Sequence, residues 1–167
     1  MTTDTGNTKV VIESLWVRFV RLLTIYLQHR RGKLGKMCHM AAARILIVDD
    51  EQTIADTLSV IFRHAGYETY TAYNGMLGLV AARSLLPNLV LSDVMMPGLD
   101  GVAMAMEIRN TLPDVEVLLF SGQATTVELL REAESKGFHF EILLKPVHPS
   151  EVIRKVALVL KEHGLVD

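Results

Sequence analysis

The 167-residue chain is 50% hydrophobic and 22% charged, an ordinary balance for one soluble globular domain with a sizeable core. Its net charge of −2 hides an asymmetry: residues 1–40 hold seven Lys/Arg against Asp4 and Glu13, and the rest holds ten basic against seventeen acidic side chains, which argues against nucleic acid as a partner of the larger part. A single cysteine, Cys38, excludes an internal disulfide and fits a reducing compartment; with no apolar run of ~18 residues and no signal-peptide order at the start, the expected location is the cytoplasm.

Residues 1–8 are polar. Residues 9–29 predict an amphipathic helix, with Glu13, Ser14, Arg18, Arg21, Thr24 and Gln28 on one side and apolar residues around the rest. The stretch 30–36 (RRGKLGK) reads as a basic linker broken by two glycines. From Ala43 onward strands and helices alternate. After strand 45–48, Ile54, Ala55, Leu58, Ile61, Phe62 and Ala65 mark one helical face, and Gly66 is its stop. Residues 67–72 (YETYTA) alternate polar and apolar as an edge strand does. Asn74 is placed to cap a second helix reaching about residue 86, and strand 89–92 follows Pro87. Asp100 caps a third helix that Pro113 ends, before strand 115–120. A fourth helix over about 125–136 stops at Gly137, and strand 141–144 and a helix over about 150–162 complete the pattern. Five strands alternating with five helices predict parallel pairing through right-handed crossovers.

Polar groups gather at the strand ends. Asp49 and Asp50 follow Ile45-Leu46-Ile47-Val48, and Asp93 follows Leu89-Val90-Leu91-Ser92. Ser121 follows the fourth apolar run and Lys145 the fifth. Ligands of open α/β sheets bind outside the carboxyl ends of the strands. Three acids, a hydroxyl and an ammonium converging there suit a divalent cation and a phosphoryl group. A carboxylate is a competent nucleophile toward phosphorus. Mg²⁺ accepts oxygen ligands from one or two carboxylates, water and phosphate.

The segments ILIVDDE (45–51), LVLSDVMMPGLDG (89–101), LLFSG (118–122) and LLKP (143–146) come in the order and about the spacing of the receiver domain of two-component response regulators, which residues 43–163 resemble. The resemblance implies a flavodoxin-like doubly wound five-stranded parallel sheet of order 2-1-3-4-5. It implies Asp93 as phosphoryl acceptor, Asp50 as a direct Mg²⁺ ligand, Asp49 acting through metal-bound water, and Met95 ligating through its backbone carbonyl. Lys145 would place a point charge on a phosphoryl oxygen, and Ser121 would donate its hydroxyl to another. Lys145-Pro146 resembles the cis peptide of the family. One Asp at a strand end is more often a turn-former or cap than a ligand; five such groups at matching ends favour the receiver site.

Other residues read as structural. Met95, Met96, Met104 and Met106 suit packing better than a cofactor site. His139, His148 and His163 lack metal-ligand spacing and read as surface or helix-end residues, as does Cys38-His39. Two positions depart from the family. The Tyr or Phe usual three residues before Lys145 is Ile142, so a phenol cannot relocate when the switch is thrown. Met95 and Gln123 stand where residues commonly tune hydrolysis, and neither is a general base for attacking water, which favours a long-lived phosphoryl group.

The resulting expectation is a stand-alone response regulator, residues 43–167, taking a phosphoryl group from a histidine kinase or histidine phosphotransfer protein and changing its affinity for a downstream protein. It would be a switch that catalyses only its own phosphorylation and dephosphorylation. An Asp-nucleophile phosphatase is the alternative, but Met95 stands where its general acid belongs. A phosphorylation-independent interaction module is the third reading. Residues 1–42 read as an extension outside the fold. MAAARILIVDDE, from Met40, resembles a receiver start, so the upstream stretch reads as an appended segment or a misassigned start. Its wide apolar face beside Arg30, Arg31, Lys33 and Lys36 also suits a membrane surface or self-association.

Overall fold

The computed structural model describes residues 42–122 and 126–165. The helix and basic linker expected over residues 9–36, the residue Gln123 and the expected helix start at Thr125 lie outside them. Ten elements alternate along the described chain: β1 (Arg44–Val48), α1 (Gln52–His64), β2 (Glu68–Ala72), α2 (Gly75–Leu85), β3 (Leu89–Asp93), α3 (Gly101–Thr111), β4 (Glu116–Ser121), α4 (Thr126–Ser135), β5 (Glu141–Leu144) and α5 (Pro149–Glu162). The strands form one parallel sheet in the order β2-β1-β3-β4-β5. This is the doubly wound, flavodoxin-like arrangement the resemblance implied.

Apolar content decides which strands lie inside. β1, β3 and β4 are mostly apolar and buried on both faces, whereas β2 and β5 at the two edges are partly exposed. Side chains alternate along each strand, so Leu46, Val48, Val90, Val117 and Leu119 join one core layer with Met104, Ala105 and Ile108 of α3 and Leu79 and Ala82 of α2. The intervening Ile45, Ile47, Leu89, Leu91, Leu118 and Phe120 are equally buried. On that side α1 and α5 pack together, while α2, α3 and α4 contact one another in sequence. Each such aliphatic side chain contributes ~1.5–3 kcal/mol when fully buried, before chain entropy is subtracted.

Helix ends follow their capping residues. Asn74 accepts a hydrogen bond from the Leu77 N–H and Asp100 one from the Ala103 N–H, both at 2.8 Å. Gly66 after α1 and Gly137 after α4 adopt φ of +98° and +86°, the left-handed conformation that glycine adopts without steric cost. α5 starts at Pro149, one residue before the expected start, because His148 takes the cap and accepts from the Ser150 N–H at 3.2 Å. β4 runs to Ser121 and β3 to Asp93, so both residues belong to their strands rather than following them. Among the described residues, no helix is long and apolar enough to cross a membrane.

Candidate functional site

Parallel pairing puts every strand's carboxyl end on one edge of the sheet. β1 runs out to β2, and the chain then crosses back to β3 on the other side of β1, so a crevice opens where β1 and β3 lie side by side. Asp49 and Asp50 leave β1 at this point, and Asp93 ends β3. A carboxylate oxygen from each of the three lies within 4.8 Å of the others. Asp49 is buried, Asp93 partly so, and Asp50 is open to solvent.

Lys145 reaches in from the end of β5. Its Nζ donates to Asp93 Oδ1 at 3.0 Å and to Asp49 Oδ2 at 3.4 Å, and it sits 4.7 Å from the centroid of the Phe120 ring. The backbone holds it there. The Lys145 N–H donates to the Ser121 carbonyl at 2.6 Å, continuing the β4–β5 ladder, and the Lys145-Pro146 peptide is cis. Three carboxylates against one ammonium leave two negative charges in surplus. Burial pushes the Asp49 carboxyl up to about 6; the Lys145 ammonium opposes this, the nearby Asp93 charge adds to it, and the Glu51 N–H donating to Asp49 Oδ1 at 2.9 Å opposes it again. An oxygen-preferring divalent cation matches that surplus in charge and in donor chemistry, so the residues fit Mg²⁺.

The loop after Asp93 is fixed by close backbone approach. Gly101 N–H donates to the Val94 carbonyl at 2.9 Å, and a Cβ on Gly101 would lie 2.0 Å from the Asp93 carbonyl oxygen. Only glycine lets α3 start so near the end of β3. Met95, in the same loop, is exposed, whereas Met96 and Met104 are buried and Met106 packs on the core.

Ser121 stands at this edge too, but its hydroxyl is not among the acids' partners described there. It forms a buried hydrogen bond with the hydroxyl of Thr126, the first residue of α4. Thr126 was not singled out from the sequence, although a threonine at a predicted helix start is a common capping signal. A second omission is Glu116. It is buried at the start of β4, where Arg109 donates to it at 2.9 and 3.3 Å and His163 Nδ1 lies 2.9 Å away. His148 and His163 are helix-end residues, as expected.

A family model for the response regulator receiver domain matches residues 45–157. The chain is 31% identical over 120 residues to the DNA-binding response regulator MtrA of Mycolicibacterium paratuberculosis, covering 72% of this chain and 52% of that protein. The chain thus spans about half the length of the curated relatives it matches. Among solved structures it resembles the CheY-like receiver domain protein of Methanospirillum hungatei, with a TM-score of 0.69, 27% identity and coverage of 74% and 98% of the two chains. The chemotaxis protein CheY4 of Vibrio cholerae gives a TM-score of 0.64 at 27% identity, covering 72% of this chain and all of that one. Because the family match takes in the five strands, but for Arg44 at the start of β1, and the three carboxylates at their common edge, the chain belongs to the response regulator receiver domains of two-component signalling.

Proposed function

We propose that the protein is a phosphoacceptor switch, in which Asp93 takes a phosphoryl group from a histidine kinase or histidine phosphotransfer protein and the resulting state binds a downstream protein differently. The observation that carries this reading is the Lys145 ammonium held 3.0 Å from Asp93 beside two further carboxylates. Asp93 Oδ attacks phosphorus, the P–N bond of the donor histidine breaks, and the imidazole leaves with its electron pair. Lys145, shared between Asp93 and Asp49, moves its charge onto a phosphoryl oxygen as the new bond forms. Asp49, Asp50, Asp93 and the Met95 carbonyl are the proposed Mg²⁺ ligands, Asp49 through water. Bound Mg²⁺ supplies charge neutralisation between the attacking carboxylate and the phosphoryl oxygens. Ser121 donates its hydroxyl to another of those oxygens.

The downstream partner is read as a protein rather than nucleic acid, because the acidic balance of residues 41–167 repels phosphodiesters. Val127 on α4, Leu144 on β5 and Leu158 on α5 are exposed aliphatic residues on three successive elements, and they suit such a partner. A phosphatase would need a proton donor two residues after its nucleophile. Met95 cannot serve.

Acetyl phosphate with Mg²⁺ provides the test, read as a phosphoryl mass addition on the intact protein. The wild type is expected to gain one phosphoryl group, and Asp93→Asn none. An unchanged gain in Asp93→Asn overturns the assignment.

A further inference from the structure

Ser121 closes β4 and Thr126 opens α4, and both are buried, at 0% and 3% exposure. Their hydroxyls are hydrogen-bonded to each other across five residues of sequence. This bond ties the strand paired with Asp93-bearing β3 directly to a helix start. In the neighbouring strand, Ile142, Leu143 and Leu144 of β5 are all aliphatic. Ile142 pairs with Leu119 and packs on the core, while Leu144, opposite Ser121, is 73% exposed.

Resting on the proposed phosphorylation of Asp93, we infer that Thr126 is a positioning residue of the switch: its hydroxyl holds the Ser121 hydroxyl inward, and its release carries the signal to α4. Ser121 is fully buried, whereas the Asp93 carboxylate is open to solvent in part, and a buried hydrogen bond turns the Ser121 hydroxyl toward Thr126. Either hydroxyl can be the donor in the pair; where Ser121 donates, its single proton must leave Thr126 to reach a phosphoryl oxygen. A charged phosphoryl oxygen is the stronger acceptor, since hydrogen bonds to ionised groups are roughly twice as strong as neutral ones. Once Ser121 turns outward, Thr126 is left with a buried hydroxyl that has lost its partner. Leaving it so is costly, so the first turn of α4 shifts until the hydroxyl meets water or another acceptor.

The test titrates beryllofluoride, whose fluorides stand in for phosphoryl oxygens, into the full-length protein with Mg²⁺, following binding by calorimetry and α4 by amide hydrogen exchange. Thr126→Val, which keeps the shape, and Thr126→Ala are both expected to bind about two- to tenfold more tightly than wild type, the span of one neutral hydrogen bond. Thr126→Ser, which restores the hydroxyl, should return to wild-type affinity. In a Ser121→Ala background Thr126→Val should have no further effect. Beryllofluoride should speed exchange in the first turn of wild-type α4, and in Thr126→Val that turn should exchange fast from the outset. A mere packing role would lower thermal stability without tightening beryllofluoride. Unchanged or weaker binding in both variants, or an equal gain without Ser121, overturns the inference while leaving the phosphoacceptor reading intact. A wild type that takes up neither beryllofluoride nor a phosphoryl group on Asp93 overturns both.

Discussion

Asp49 shows how one residue's surroundings set its chemistry. Its ordinary pKa of 3.8 is pushed up to about 6, chiefly by burial. Between those values the folded, metal-free protein holds a proton that the unfolded chain has released, so this group's contribution to stability rises as pH falls through 6. Cation binding has the opposite sign, because a carboxylate that holds the cation, directly or through water, does so in its ionised form. Mg²⁺ affinity measured calorimetrically should fall roughly tenfold per pH unit below about 6. Asp49→Asn should remove that step; a dependence that persists in the variant would place the titrating group elsewhere. Ile142 makes a different case at the same scale. It is only partly buried against the core layer, so Ile142→Ala is expected to cost about 1–2 kcal/mol in urea unfolding, less than the ~2–5 kcal/mol of a fully buried site. Acetyl phosphate reactivity should survive the change.

Elements meet at two positions that no periodicity marks. At the start of α3, Gly101 lies against the Asp93 carbonyl, and a methyl group there would sit 2.0 Å from that oxygen. Gly101→Ala must push α3 away from the end of β3. The expected cost is about 3 kcal/mol in chemical denaturation, the upper end of overpacking effects. It should also slow phosphorylation, because the displaced backbone carries Asp93. Glu116 joins three elements: it starts β4, takes two hydrogen bonds from Arg109 of α3, and meets His163 at the end of α5. Glu116→Gln leaves the Arg109 guanidinium without its counter-charge. Arg109 retains some access to water, so the expected loss is about 2–3 kcal/mol, below the ~3–5 kcal/mol of a wholly buried pair. Thermal unfolding checks it.

For the whole molecule, the family match at residues 45–157 and the core described from Ala43 onward favour a receiver that does not depend on residues 1–39. A chain starting at Met40 is expected to unfold in one cooperative transition and to react with acetyl phosphate at the full-length rate. Aggregation or lost reactivity would make the upstream segment integral to the domain. If both chains behave alike, flotation of the full-length protein with anionic liposomes distinguishes surface attachment from an appended segment without that role.

Local pattern alone determined the parallel α/β class. Continuous aliphatic runs such as Ile45–Val48 can only be buried on both faces, and helices capped by Asn74 and Asp100 must connect them. The acids were legible because their place in the sequence, directly after such runs, is also their place in space: one edge of a parallel sheet. The strand order was legible only through resemblance, since each central strand is equally apolar. Tertiary structure decided the rest. Lys145 and Asp93 are 52 residues apart, and the distance between their charged atoms depends on the order in which strands assemble. Asp49 acquires its raised pKa from burial that its own neighbours in sequence do not specify. The Ser121–Thr126 bond, the Glu116 cluster and the tight seat of Gly101 each need two elements to arrive at one point. A linear pattern records which face of an element is apolar, but not which polar atom the facing element will bring to it.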